Sequence, residues 1–451
     1  MKKTLCLVLT LMMAVSLLAC AAPTAEPDVA PVADPADPAV AEPSSDENVT
    51  IEFFSTFPDR TSGRGLWEET CIQNFVAEHP NVTVETEFLA DDPYKVKIQT
   101  YMAANDVPDV FFAWSASNYM TPLINGNFIV PLNSADYDSY NFMAGAREAF
   151  TYDGILYGLP SQEDFWVMYF NEKIFEENNV AIPTNWDEWL TAVKAFNDAG
   201  VTPIALNGGD KWSLVVVWQN IIDQLCAGPE KVRAALAGDI TFSDTPEFAE
   251  ALKLFREMID ANGFQQSFLT ADEATAQNLF TSGQAAMYLW GSWSMSMAED
   301  QQISEDVRTH IRAAKVPCAP NAAGSSNDIC LNYGAGYVVG VNEDENVQKY
   351  SKMLLDYMLS PENYAKFNWE NGILIPVEKF DQFLTGSENQ LQKDLMGIIS
   401  DATTASGSWI CDSLTNAFKT ECENLMHQWA TGMLDDADFL AQLDALAEQE
   451  R

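Results

Sequence analysis

VTIEFFSTF (residues 49–57) sets apolar side chains at alternate positions, the period of a half-buried β-strand. Residues 65–79 follow with Trp67, Ile72, Phe75 and Val76 spaced to share one face of a helix. NVTVETEFL (81–89) reads as a second strand, residues 93–104 as a second helix, and Pro108-Asp109-Val110-Phe111-Phe112-Ala113-Trp114 as a buried strand. Strands alternating with helices predict a mainly parallel α/β sheet. In such sheets a ligand sits beyond the carboxyl ends of the strands. Phe57, Asp59, Arg60, Trp114 and Ser115 occupy those positions.

The chain upstream is of another kind. MKKTLCLVLTLMMAVSLLAC (1–20) has Lys2 and Lys3, then an apolar run from Leu5 to Leu18 that is short for a membrane span of about 20 residues. This predicts a secretory signal over 1–19. Leu17-Leu18-Ala19-Cys20 has the form of a bacterial lipoprotein box, with Cys20 lipidated; the alternative is ordinary cleavage beside a chance cysteine. Residues 21–48 hold six prolines, seven acids and no base. Such a segment buries too little apolar surface to fold, and 20–48 reads as an extended tether.

Across 451 residues there are 24 Lys plus Arg and 66 Asp plus Glu, a formal net charge of −42. Loss of 1–19 removes two lysines and no acid, leaving 22 against 66, or −44. That balance excludes nucleic acid, which requires clustered cations. It also limits membrane contact to the lipid anchor. At about 150 residues per domain the length allows two or three domains. Six cysteines remain after Cys6 and Cys20. In an exported chain their even number suggests disulfides, locally Cys318–Cys330 and Cys411–Cys422, leaving Cys71–Cys226. No Cys or His spacing suggests a metal, and no cofactor is expected.

The remaining motifs come in a fixed order: YDGILYGLP (152–160), MYFNEKIFEENNV (168–180) with NWDEW (185–189), LFTSGQAAMYLWGSW (279–293), YGAGYVVG (333–340) and NGILIP (371–376). Together with PDVFFAW this order resembles the extracellular solute-binding proteins of bacterial ABC importers, and within them the carbohydrate-binding family that includes the maltose-binding proteins. The resemblance spans about 50–450. It implies a two-lobed, type II periplasmic-binding-protein fold with a ligand cleft between lobes joined by crossing strands. It places lobe 1 at 49–160 plus about 318–360 and lobe 2 at 161–317 plus about 361–451. It further implies a monomeric, non-enzymatic receptor that hands a sugar to a membrane permease, held at the outer face of the cytoplasmic membrane.

A sugar offers hydroxyls at its rim and C–H patches on its faces, so its site needs polar side chains among aromatic plates. By the resemblance, Asp59, Arg60, Glu163 and Asp164 would bond hydroxyls. Trp114, Trp166 and Trp293 would stack, and Tyr333 would sit where the backbone nears the ligand. Phe57, Ser115, Trp212, Trp369 and Trp409 are further candidates. Two other readings stay open: a binder of polyamines, iron or glycerol phosphates, and a surface carbohydrate-active enzyme with paired carboxylates.

Overall fold

The computed structural model describes residues 48–370, 374–375 and 380–451. The signal segment, Cys20, nearly all of the tether and most of NGILIP lie outside them. The strands are β1 (Val49–Ser55), β2 (Val82–Phe88), β3 (Val110–Trp114), β4 (Thr151–Tyr152), β5 (Ile155–Leu156), β6 (Leu159–Asn171), β7 (Thr202–Ala205), β8 (Ala285–Gly291), β9 (Ile311–Ala314), β10 (Asp328–Val339) and β11 (Thr404–Gly407). The main sheet runs β2-β1-β3-β10-β6-β8-β7, with β11 on β10 and β9 on β6; β4 and β5 form a separate hairpin.

The first three strands pair in parallel, as their alternation with helices predicts. The middle of the sheet does not. β10 is antiparallel to both β3 and β6, and β6 is antiparallel to β8 and β9. The expectation of a mainly parallel sheet is therefore corrected to a mixed one. The cause is length: β6 has 13 residues and β10 has 12, so each runs from one half of the sheet into the other, in opposite directions.

Local signals hold where capping chemistry is explicit. The Asn171 side chain accepts from Ile174 N, and that of Asn185 accepts from Glu188 N, starting the helices Glu172–Glu177 and Trp186–Ala199. Trp186, Trp189 and Val193 then bury one face of the second helix. Among the described residues no helix is long and apolar enough to cross a membrane.

The expected disulfides are not formed: all six cysteines are free. Cys71 lies on the helix Gly63–Glu78 with its Sγ 4.0 Å from the Asn363 carbonyl, whereas Cys226 ends the helix Trp212–Cys226. Cys318 lies in a loop bonded to Thr184 and Trp186, while Cys330 is buried within β10. Cys411 and Cys422 are both buried, and the Cys411 Sγ lies 4.0 Å from Lys419 Nζ.

Candidate functional site

The strand ends of both half-sheets and the middle of β6 and β10 open onto one cleft of about 480 Å³. Of the residues singled out in the sequence, Phe57, Asp59, Trp114, Asp164, Trp212, Trp293 and Trp409 line it. Each is delivered by a different local device.

Trp114 ends β3. The next residue, Ser115, pins that strand end to β10: its N–H donates to the Gly334 carbonyl at 2.9 Å and its hydroxyl to the Tyr333 carbonyl at 3.0 Å. Ser115 is thus a buried staple between the two strands and does not line the cleft. Lys211, at φ +60°, turns the chain so that a helix starts at Trp212. Trp409 is held by the buried Gln219, whose amide donates to the Ser408 carbonyl at 3.0 Å and accepts from Ile410 N at 2.7 Å. Trp293 folds back over Gly291, where a Cβ would lie 1.8 Å from the indole. No other residue type leaves that space.

Trp212, Trp290, Trp293 and Trp409 make a continuous aromatic wall. Trp212 and Trp409 stack with centroids 5.1 Å apart and planes 10° from parallel. Trp290 stands 5.1 Å from both Trp212 and Trp293. Trp166 belongs to this group but lies beneath it, buried against Trp212, Trp290 and Trp293. It supports the plates from behind.

Strand alternation separates the two neighbouring carboxylates. Gln162 and Asp164 face the cleft from β6. Glu163 points to the other side, as side chains one residue apart must. It is buried with Oε1 unpartnered, and burial together with the Asp164 charge pushes its carboxyl up to about 8. Tyr333 follows the same rule on β10: Asn332 and Gly334 face the cleft, while the Tyr333 hydroxyl lies 3.8 Å from the Met143 sulfur and its ring blocks any side chain at Gly145. Neither Glu163 nor Tyr333 lines the cleft; both lie behind the crossing strands. Arg60 is also diverted. It forms an ion pair with the buried Glu68, which in turn accepts from Ser55 and Tyr337, and its guanidinium lies 3.8 Å from the centre of the Phe88 ring. Trp369 is buried, its indole N–H 3.4 Å from Glu388.

Sequence reasoning missed Arg64, Gln162, Trp290, Asn332, Asp412 and Lys419, all of which line the cleft. Period-two alternation from Asp164 and Gly334 would have found Gln162 and Asn332. Arg64 donates to the Ser161 carbonyl at 2.9 Å. Lys419 bridges Asp412 at 2.6 Å and Glu423 at 2.8 Å, so its charge is already met. Asp59 spends its carboxylate on Thr61 and Ser62; those hydrogen bonds hold it below its usual range.

At the crossing, Asp164 and Asn332 stand opposite each other in register. Asp164 Oδ2 accepts from Gln162, whereas its Oδ1 and the Asn332 Oδ1 are buried without partners. Burial pushes the Asp164 carboxyl up to about 6, against the lowering effects of Arg64 and Gln162. A Cβ on Gly334 would meet Asn332 Nδ2 at 2.8 Å and Asp164 Oδ2 at 3.2 Å, so glycine keeps this floor open. Buried acceptors without donors are costly and mark a place where a ligand can supply them. Among the described residues no group of three or more His, Cys, Asp or Glu is placed to hold a metal ion.

Comparison with known proteins gives a consistent picture. Residues 58–365 match the bacterial extracellular solute-binding protein family. A Brucella abortus binding protein is 23% identical over 339 residues, 73% of this chain and 76% of its own. The multiple sugar-binding protein of Streptococcus mutans is 22% identical over 279 residues, 59% of this chain and 62% of its own. A solved structure from work on xylan utilisation by Caldanaerobius polysaccharolyticus superposes with a TM-score of 0.79 at 24% identity, covering 88% of this chain and 99% of the other.

Proposed function

From the premise that this chain belongs to the bacterial extracellular solute-binding protein family, we propose that it captures a sugar or oligosaccharide in the cleft and delivers it to an ABC-transporter permease. The observation that carries this reading is the placement of unpartnered buried acceptors, Asp164 Oδ1 and Asn332 Oδ1, in a cleft also lined by half-buried indoles. A pyranose meets both demands: its hydroxyls donate to the acceptors and its C–H faces cover the rings. Two indole faces of about 100 Å² each contribute ~5 kcal/mol at 25 cal/mol per Å². Hydrogen bonds to a charged acceptor add roughly 1.5–3 kcal/mol each. Against several kcal/mol for association, a dissociation constant around 1 μM, about −8 kcal/mol, is a consistent balance.

In this reading the two half-sheets are the lobes, 49–160 with about 318–360 and 161–317 with about 361–451, and they close over the ligand as β6 and β10 bend. Trp114 approaches from one lobe and Trp212, Trp293 and Trp409 from the other. The receptor is monomeric and lipidated at Cys20. The tether to residue 48 keeps it near the permease, which raises its effective concentration there.

One observation favours a second ligand class. Asp59, Asp91, Asp164, Glu273 and Asp412 outnumber Arg64, Lys95 and Lys419 in the cleft, a balance that would also suit a polyamine. A thermal-shift panel of neutral sugars, oligosaccharides, uronic acids and polyamines decides between them, since a ligand stabilises by RT ln(1 + [L]/Kd). Neutral sugars should raise the melting temperature. A shift by polyamines alone would overturn the carbohydrate reading.

A further inference from the structure

Beside the cleft lies a second, smaller cavity of about 60 Å³. The two share Lys95, Phe112, Trp114 and Tyr119 as common lining. At roughly 10–15 Å³ for each water-sized centre, the space suits a substituent of a few heavy atoms. Its walls are mostly apolar: Tyr94, Ile98, Met102, Phe111 and Leu123. Polar residues interrupt them at Lys95, Gln99, Asn118, Tyr119 and Asn416. Asn118, 2% exposed, donates through Nδ2 to Asn416 Oδ1 at 3.3 Å, and its Oδ1 is buried with no donor.

We propose that this chamber receives the acetamido group of an N-acetylated sugar whose ring lies in the cleft. The assignment rests on the carbohydrate reading of that cleft and narrows it. The orphan Asn118 Oδ1 requires a donor, and the amide N–H supplies one. The surrounding apolar walls require a methyl, and the acetyl group ends in one. A hydroxymethyl group could donate to Asn118 Oδ1 but brings no methyl to the apolar walls. A carboxylate has no hydrogen to give Asn118 Oδ1, so that acceptor would stay unmet even with Lys95 on the shared wall.

The test is calorimetric titration of the full chain with tri-N-acetylchitotriose and with cellotriose, which share linkage and length and differ at the acetamido positions. The acetylated ligand should bind at least about tenfold tighter, the order expected for one buried methyl and one hydrogen bond. Ile98→Phe, which fills the chamber, should abolish that preference and leave cellotriose binding unchanged. Asn118→Leu should reduce the preference in part; melting curves check that both variants fold. Equal or weaker binding of the acetylated ligand overturns the inference and leaves the cleft reading standing. So does binding confined to other, unacetylated oligosaccharides, or a preference that survives in folded Ile98→Phe. If no carbohydrate binds, the cleft reading itself fails.

Discussion

Asp164→Asn should move stability and affinity in opposite directions. The Asp164 carboxyl is 4% exposed, and burial holds it up to about 6 against an ordinary value of 3.8. The folded state therefore keeps its proton more firmly than the unfolded chain does. As pH rises from about 4, the unfolded state ionises first, so this group costs stability progressively, and the cost is complete above about pH 6. At 1.36 kcal/mol for each pH unit of displacement, the cost at pH 7 is on the order of 3 kcal/mol. An amide of nearly the same shape removes it. Urea unfolding of the ligand-free protein should show Asp164→Asn more stable than wild type at pH 7, with the gain gone at pH 4. The same change exchanges a charged acceptor for a neutral one, which should weaken ligand binding about 10- to 100-fold. Wild-type affinity should itself fall about tenfold from pH 7 to pH 5 as the carboxyl protonates, and the variant should show no such dependence. A variant less stable than wild type at pH 7, or one that binds with unchanged affinity, would refute the reasoning.

The other predictions separate the cleft from what lies behind it. Trp409→Ala removes one member of the stacked pair with Trp212; at about 100 Å² of lost face, calorimetry should show binding weakened roughly 50-fold or more. Trp369→Phe, remote from the cleft, should leave affinity unchanged in the same assay. Glu163→Gln should keep affinity within about twofold, because the side chain faces away from the cleft. Its carboxyl is held up to about 8, so its cost develops as pH rises from 4.5, and unfolding curves should show the variant stabilised at pH 7 but not at pH 4.

The order of elements was legible because it rests on local chemistry: alternation in 49–57, the asparagine caps at 171 and 185, and the glycines that precede Trp293. The direction of the crossing strands was not, since antiparallel pairing of β6 with β10 joins segments about 170 residues apart. Site residues followed the same division. Trp114, Trp212, Trp293 and Trp409 stand at element ends, where sequence places ligand contacts. Glu163 and Asp164 looked equivalent as neighbours, and only the strand pleat assigns one to each side. Arg60 was misleading because its partner, the buried Glu68, sits on the next helix. The cysteines follow export statistics in number but not in position.

The most direct test is titration of the full chain with neutral oligosaccharides, read by its intrinsic tryptophan emission. Four indoles, Trp212, Trp290, Trp293 and Trp409, meet on one wall of the cleft, so an occupied site should change that emission saturably, with a dissociation constant of about 1 μM and with the sugar recovered intact. Unchanged emission with every sugar at millimolar concentration, or conversion of the sugar to product, would contradict the account.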